Sequence, residues 1–490
     1  MTPRIVTIDA GTTSVKVCLF SADMRLEKKS IQEYPLRKSG VWVEADAETY
    51  LRAIARGMRA IGARDADVAA VGLTTQGETM TVTDADGVPQ IPFLVWLDQR
   101  AGEQAEKLRA LFPDDPFYRE TGLPGITGAM PLTKALWLKE KRPGLFSPGC
   151  RVLLLEDYLL RFMTGRFLTE KTLQTSTGWF SLRRDAVWPE ALAAAGLTTA
   201  MLPEVTDSGV QAGVLGPQAA DSLGLPSGIP VFTGAMDQVS AAYAMGRFFP
   251  GAVMETTGTA LVAAASVRGL SLMEKAGFPH TTLYRHVNEG DYLLLPIGNT
   301  GGMALTWFRD AFCRDLNGDY AAMNRLAESA PTGAEGVLFL PFLDGSVDPD
   351  ACPQARGVFF GLSLTSERSH CVRAVMEGVA HLLRDMLKIM ERCGANAGQV
   401  CSLGGGGRSP VWEQIKADIC EKTFVTLDCE EAASLGAALL AARGAGIEES
   451  GACVRPRITA RYAPDPAVAG LYRDAHEKYT NLYQAVRPLF

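Results

Sequence analysis

The sequence predicts an α/β protein of two domains with a cleft between them. Strands alternate with helices in both halves of the chain. A strand, Gly-Thr turn, strand pattern at residues 5–20 recurs at residues 252–265, which suggests two halves of similar design. A chain of 490 residues also exceeds one ordinary hydrophobic core. The pattern restarts after Gly246, so the expected domains are 1–246 and 247–490.

Taken in order, residues 4–9 and 15–20 alternate as strands around the turn Ala10-Gly11-Thr12-Thr13, which makes a β-hairpin. Residues 47–61 have helical period, 68–74 and 80–82 read as strands, and Asp84-Ala85-Asp86-Gly87 is a turn. Helices are expected near 99–111, 132–141 and 153–163, followed by a Pro/Gly-spaced loop region over 196–229. Residues 229–232 form a short apolar strand, Thr233-Gly234 a turn, and small and apolar residues from Met236 onward a helix. Beyond the repeat at 252–265 come a strand at 292–297, a helix from Gly302, a long helix at 367–393, a strand-turn-helix from Val400 to Cys420 and a last helix near 467–488. In the long helix, Val372, Val375, Met376, Val379, Leu382, Leu383 and Met386 make one apolar stripe, which belongs to a core.

Net charge is −7 with no sustained basic run, which argues against a nucleic-acid surface. An anionic ligand must then be met locally, by backbone amides, a few basic side chains or a metal. No apolar run approaches the ~20 residues that span a bilayer, and Asp9 inside the first apolar segment argues against a signal peptide. The ten cysteines show no Cys-x-x-Cys spacing, so reduced thiols in a cytoplasmic protein are expected.

The chemistry gathers at a few turns. Asp237 and Gln238 stand where a strand ends and a helix begins, and the helix N-terminus favours an ionised Asp237 able to accept a proton. Four Gly-containing turns, Ala10–Thr13, Thr256–Thr259, Asn299–Gly302 and Gly404–Ser409, let backbone amides and hydroxyls face phosphate oxygens. The third and fourth lead into helices, with Ser409 as cap and Pro410 in the first helical position. No Gly-x-x-x-x-Gly-Lys-Ser/Thr and no protein-kinase motif set is present.

As an ordered set these segments resemble the signatures of the FGGY carbohydrate kinases. The set comprises Ile8-Asp9-Ala10-Gly11-Thr12-Thr13, Gly234-Ala235-Met236-Asp237-Gln238, Thr257-Gly258-Thr259 and Leu403 through Trp412. Further matches are Val71 to Gln76, Val95 to Arg100, Thr133 to Trp137, Leu155-Glu156-Asp157-Tyr158-Leu159 and Ser434 to Ala438. The resemblance covers essentially the whole chain. It implies two ribonuclease-H-like, actin-like ATPase domains with ATP and sugar in the cleft between them, the N-terminal one on the sugar side and the C-terminal one on the nucleotide side. It implies Asp237 as catalytic base, Gly11, Thr12 and Thr13 as first phosphate loop, and Gly258 and Thr259 as second. Gly302 resembles a position near the nucleotide, Gly405, Gly406 and Ser409 resemble the adenosine site, and Asp9 resembles the residue that holds Mg²⁺, through water. Lys16, just past the first loop, reads as a strand-surface lysine.

The resemblance is closest to the xylulokinase branch, yet the sugar pocket departs from it. Xylulokinases and gluconokinases usually carry Met-His after the glutamine that Gln76 matches, where this chain has Gly77-Glu78. Glu78 is similar to the polyol-binding glutamate of glycerol kinases, without their arginine. An added carboxylate disfavours acidic sugars, Gly77 leaves room for a substrate longer than glycerol, and Trp96 offers a face for a carbon chain. Gln76, Gly77, Glu78, Trp96, Asp98 and Gln238 are the expected pocket, with a substrate hydroxyl between Asp237 and the γ-phosphate. The implied reaction is ATP- and Mg²⁺-dependent phosphorylation of a neutral ketose or polyol, D-xylulose to D-xylulose 5-phosphate first, with glycerol, ribulose and erythritol open. A nucleotide-driven switch or a sugar sensor on the same fold is the rival. The expected partner is a small-molecule sugar or polyol, not nucleic acid or membrane; a homodimer is admitted, although the sequence does not give the oligomeric state.

Overall fold

A computed structural model describes residues 3–274, 281–348, 350–447 and 455–490. They form two compact units: Met1–Arg247 with Arg268–Leu293 and Glu431–Arg455, and Phe248–Val267 with Leu294–Glu430 and Pro456–Phe490. The chain therefore does not divide between them at one point.

The first unit is built on a six-stranded sheet whose spatial order is Gln211–Val214, Pro230–Phe232, Val68–Thr75, Arg4–Ala10, Ser14–Ser21, Leu26–Glu33. Arg4–Ala10 and Ser14–Ser21 form the expected hairpin, with Asp9 opposite Lys16. Pro230–Phe232, Val68–Thr75 and Arg4–Ala10 run parallel to one another. Nearly all of their side chains are buried, as strands covered on both faces require. The helix Ala47–Ile61 has the expected bounds and stops where Gly62 turns left-handed at φ 67°. Leu26–Glu33 was not legible as a strand because it is an exposed edge rich in charge, the composition that blunts a sheet edge.

The region 196–229 is not the expected loop. It holds the strands Glu204–Thr206 and Gln211–Val214 and the helix Pro217–Leu223. These elements are too short for a period to show, and Gln211–Val214 is fixed by antiparallel pairing to Pro230–Phe232. A second, smaller sheet joins Arg37–Ser39, Trp42–Ala45, Phe93–Leu94, Met80–Thr83 and Arg151–Leu154, and so places the segment Trp96–Arg100.

The helix Ala432–Gly444, far down the chain, completes this unit. Small residues let it lie directly on the sheet and on the helix Asp237–Phe248: a Cβ on Gly72 would stand 2.7 Å from the Ala437 carbonyl oxygen, and one on Gly436 would stand 2.0 Å from the Ser240 carbonyl oxygen. That contact explains why a segment after residue 430 folds with the first unit.

The second unit repeats the opening motif. Val253–Thr257 pairs antiparallel with Leu261–Arg268 and parallel with Gln399–Leu403, which pairs parallel with Thr423–Leu427. The expected strand at 292–297 is two pieces split at Leu295-Pro296: Asp291–Leu294, which belongs to the first unit up to Leu293, and Ile297–Gly298 in the second. The long helix, Arg368–Arg392, buries the stripe from Val372 to Met386, and Gly378 lets it approach the Phe339 carbonyl, 2.2 Å from where a Cβ would be. Among the described residues no helix is long and apolar enough to cross a membrane.

Adding one methyl group at Gly436 must separate two helices whose backbones already touch. Gly436→Ala is expected to destabilise the protein by ~1–3 kcal/mol, read as a lowered midpoint of thermal unfolding; an unchanged midpoint would show that this contact does not anchor the helix.

Candidate active site

The three parallel strands of the first unit all end at the same edge of the sheet, the place where open α/β sheets bind ligands. Arg4–Ala10 delivers Asp9 and the turn Gly11–Thr13 there. Val68–Thr75 delivers Gln76, Gly77 and Glu78, and Pro230–Phe232 delivers Asp237 and Gln238. The pieces are joined. The Gln76 amide donates to the Ala10 carbonyl at 3.1 Å, Met236 bridges to Thr75, and Trp96 Nε1 donates to Thr12 Oγ1 at 2.9 Å. The Tyr34 hydroxyl donates to the Gly11 carbonyl. Thus Asp9, Thr12, Gln76, Trp96 and Asp237, scattered over more than 200 residues of sequence, are brought together.

Asp237 opens the helix Asp237–Phe248, and its Oδ1 accepts the Gln238 amide at 2.6 Å. The sequence predicts that the helix start favours its ionised form. Instead desolvation, followed by repulsion from Asp9, pushes its carboxyl from the usual 3.8 up to about 7, against the lowering effect of the Gln238 amide and of Lys16. Asp9 is itself raised, chiefly by burial. Lys16 is only partly exposed on its strand and is ion-paired: its Nζ lies 3.4 Å from Asp9 Oδ2 and 3.0 Å from Glu431 Oε2. The partner Glu431 lies 415 residues away, so nothing local in the sequence reveals this role. Two desolvated carboxylates, one of which raises the other, form a site that a hydrated divalent cation fits, since Mg²⁺ takes few protein carboxylates. Among the described residues no cluster of three or more His, Cys, Asp or Glu is arranged as a complete metal cage.

Around Gln76 the pocket differs from expectation in two places. Asp98 is fully buried and its carboxylate is engaged by the Val43 amide at 2.6 Å and by Arg100 Nε and Nη2 at 2.8 and 2.7 Å. It braces the Trp96–Arg100 segment rather than facing a ligand. Gly77 does not open space either, because a Cβ there would meet Met236 Sδ and Ser176 Oγ, each at 3.1 Å. Gln76 keeps one buried acceptor, Oε1, without a hydrogen-bond partner among the described residues.

Glu78 adopts a left-handed backbone, φ 62°, uncommon for a residue other than glycine. Desolvation pushes its carboxyl up to about 7, with Lys134 opposing. The fold adds Lys134, part of the Thr133–Trp137 motif. It is fully buried, its Nζ donates to the carbonyls of Val95 at 2.9 Å and Glu78 at 3.3 Å, and burial pulls it down to about 8. A lysine on the buried face of an otherwise apolar helix turn was the available signal. Trp96 remains 40% exposed, so its ring face is open while its N–H is held.

In the second unit the remaining glycine turns also converge. The Gly302 amide donates to the Gly258 carbonyl at 2.6 Å, and the Gly301 amide to the Thr259 carbonyl at 2.9 Å. A Cβ on Gly406 would stand 2.5 Å from Thr257 Cβ, while Gly405 has open space beside it. Ser409 caps the helix Pro410–Cys420, accepting the Trp412 amide at 3.3 Å. Its hydroxyl proton goes to Asn324 Oδ1 at 2.9 Å, so the side chain serves the loop itself. Beneath these turns Lys416 Nζ contacts both oxygens of Glu255 at 3.1 and 3.2 Å and Glu413 Oε1 at 2.8 Å. Glu255 also accepts from Ser402 Oγ at 2.8 Å and from Thr257. All three charged residues are fully buried.

Two family models, the N-terminal and C-terminal domains of the FGGY family of carbohydrate kinases, match residues 4–244 and 252–445. The chain belongs to the FGGY family of carbohydrate kinases. It is 31% identical to the xylulose kinase of Escherichia coli (strain K12), over 98% of this chain and 99% of that protein. It is 26% identical to the gluconokinase of Bacillus licheniformis, over 99% of this chain and 96% of that protein. Its fold matches the crystal structure of ligand-bound xylulose kinase from Lactobacillus acidophilus with a TM-score of 0.90 at 23% identity, covering 99% and 98% of the two chains. The two-domain, actin-like FGGY architecture expected from the sequence is therefore present. As a family member the protein is a phosphotransferase that phosphorylates a carbohydrate, using ATP and Mg²⁺.

The buried network under the second unit's turns yields a prediction. Lys416→Met would strand Glu255 and Glu413 without a counter-charge, and removal of one partner from such a group costs ~3–5 kcal/mol. The expected result is a large drop in denaturation midpoint; a variant as stable as the parent would mean that the ion cluster holds nothing.

Proposed function

We propose that this FGGY kinase phosphorylates a neutral ketose or polyol, D-xylulose first, with Asp237 as the general base. The observation that carries this is Asp237 itself: a carboxyl at a helix start, beside Asp9, with its titration moved to about 7, where a base works best near neutral pH. On this reading residues 1–246 supply the sugar side and the first phosphate turn, and residues 247–490 the nucleotide side. Gly11, Thr12 and Thr13, with Gly258, Thr259, Gly302, Gly405 and Gly406, would hold ATP through backbone amides and hydroxyls. Asp9 would hold Mg²⁺ through water. Bound there, ATP supplies the phosphoryl group and Mg²⁺ offsets its charge. Asp237 takes the proton of the attacking hydroxyl. Gln76 Oε1 and the Glu78 carboxylate accept from neighbouring hydroxyls, Gln238 lies one residue past the base, and Trp96 offers its ring.

A neutral substrate is favoured because Glu78 is a carboxylate for which burial already disfavours charge; an acidic sugar would add like charge to it. The similarity to a xylulose kinase supports D-xylulose, while Gly77-Glu78 in place of Met-His supports a second reading, another polyol or ketose. The nine described cysteines, all free thiols, suit a cytoplasmic setting.

ADP release from ATP and Mg²⁺ over neutral ketoses, polyols, aldoses and gluconate tests this reading. Turnover on D-xylulose is expected, gluconate should be poor, and Asp237→Asn should lower kcat by ~10²–10⁴-fold. Turnover confined to another polyol retires D-xylulose, and silence across the panel with ATP still bound favours a switch or sensor.

The raised carboxyl also sets the pH profile. A base must be deprotonated, so kcat/KM should be full above about pH 7 and fall below it, the raised titration point moving the acid limb up from the usual carboxylate range. A profile measured with both sugar and MgATP limiting, so that it reports the unloaded enzyme, that stays flat to pH 5 would exclude Asp237 as the titrating base.

A further inference from the structure

The segment Thr233–Met236, which carries Asp237 into its helix, is neither strand nor helix, so its backbone must find other partners. At three points those partners are buried side chains. The Gly234 amide donates to Glu156 Oε1 at 2.8 Å. Thr74 Oγ1 donates to the Ala235 carbonyl at 2.8 Å. The Met236 amide donates to Thr172 Oγ1 at 2.9 Å. Thr172 is itself held, because its hydroxyl donates to Glu170 Oε1 at 2.7 Å. Glu170 is fixed in turn by the amides of Thr172 and Leu173 at 2.7 and 2.6 Å and by Ser208 Oγ at 2.9 Å. Glu156, Glu170 and Thr172 are no more than 1% exposed.

The segment also has no slack. A Cβ on Gly234 would lie 1.6 Å from the Leu73 carbonyl oxygen, so the loop is pressed flat against the strand end that leads to Gln76. Shifting Gly234 or Met236 would shift Asp237, one to three residues on.

We propose that Glu156 and Thr172 are positioning residues for Asp237: their oxygens hold the Gly234 and Met236 amides and thereby fix where the catalytic carboxylate stands. The inference rests on the reading of Asp237 as base and goes beyond it. Glu156 acts as a neutral acceptor. Its Oε1 takes the Gly234 amide while its Oε2 is buried with no hydrogen-bond partner among the described residues, an arrangement that suits a carboxylic acid better than an ion. Burial and the neighbouring Glu170 both push its titration well above the usual range. A glutamine, neutral and of the same shape, should therefore serve in its place, whereas a leucine leaves the Gly234 amide buried without an acceptor. Thr172→Val likewise removes the Met236 acceptor while keeping the volume.

The test separates kcat from KM in Glu156→Leu, Glu156→Gln, Thr172→Val and Asp237→Asn, using the sugar that the activity panel identifies, with thermal unfolding of each. Misplacing a reacting group by about 1 Å costs on the order of 10²-fold. Accordingly Glu156→Leu and Thr172→Val should lose roughly that factor in kcat, with KM for sugar and for ATP nearly unchanged, and Glu156→Gln should restore parental kcat. Parental kcat in Thr172→Val, or in a folded Glu156→Leu, while Asp237→Asn is inactive, overturns the positioning role and leaves the base reading standing. Glu156→Gln as impaired as Glu156→Leu overturns the neutral-acceptor account. If Glu156→Leu does not fold, Thr172→Val and Glu156→Gln decide the matter. An active Asp237→Asn removes the base reading on which the inference stands.

Discussion

Where the parallel strands Arg4–Ala10, Val68–Thr75 and Pro230–Phe232 stop, their hydrogen-bond ladder stops too, and the backbone beyond must be held by something else. The first unit answers with side chains and amides drawn from distant parts of the sequence. Tyr34 holds the Gly11 carbonyl, the Gln76 amide holds the Ala10 carbonyl, Trp96 holds Thr12, and Glu156 and Thr172 hold the turn before Asp237. Each candidate functional residue is thus placed by a strand end and fixed by a partner from another element. The second unit meets the same constraint with charge: Lys416, Glu255 and Ser402 tie together the strand ends that carry Thr257 and Gly404.

The parts of this design visible in the sequence are the parts that depend on local pattern. The hairpin at residues 4–21, the helix 47–61 and the long helix 368–392 follow from period and glycine placement. The position of Asp237 at a strand-to-helix junction also follows from local signals. Elements settled by long-range pairing were not legible. Gln211–Val214 is a strand because Pro230–Phe232 lies beside it, and the helix Ala432–Gly444 joins the first unit because Gly72 and Gly436 permit contact. The same holds for side chains. Asp98 looked like a pocket residue until the Val43 amide and Arg100 were seen to engage it. Lys16 looked idle until Glu431 and Asp9 were beside it. Motif resemblance located the site without saying which of its residues face a ligand and which brace the wall.

The electrostatics of Asp237 show why spacing alone misjudges a carboxyl's charge state. A helix N-terminus contributes ~0.3–1 kcal/mol toward an ionised side chain at an exposed position. Carrying a carboxyl from 3.8 to about 7 corresponds to roughly 4 kcal/mol in the opposite sense. Desolvation with Asp9 nearby therefore outweighs the helix start, and the local motif predicts the sign of the smaller effect. The same burial acts on Glu78 and on Lys134, raising one and lowering the other to about 7 and about 8, so both groups near Gln76 can change charge close to neutral pH.

This leaves a site in which charge is costly until something arrives to offset it. Asp9, Asp237 and Glu78 are all raised by burial, and among the described residues Asp9, unlike Asp237, has an ammonium within ion-pair distance, Lys16 at 3.4 Å. A cation brought to Asp9 would lower the cost of ionising Asp237, because Asp9 is the main charge that raises it. The Asp237 carboxyl would then be more fully ionised once the phosphate turn is loaded, and remain partly protonated without it. Such coupling needs no moving part. It follows from placing two carboxylates at the same edge of the sheet, past the ends of strands that flank Val68–Thr75, and from the buried oxygens of Glu156 and Thr172 that keep one of them there.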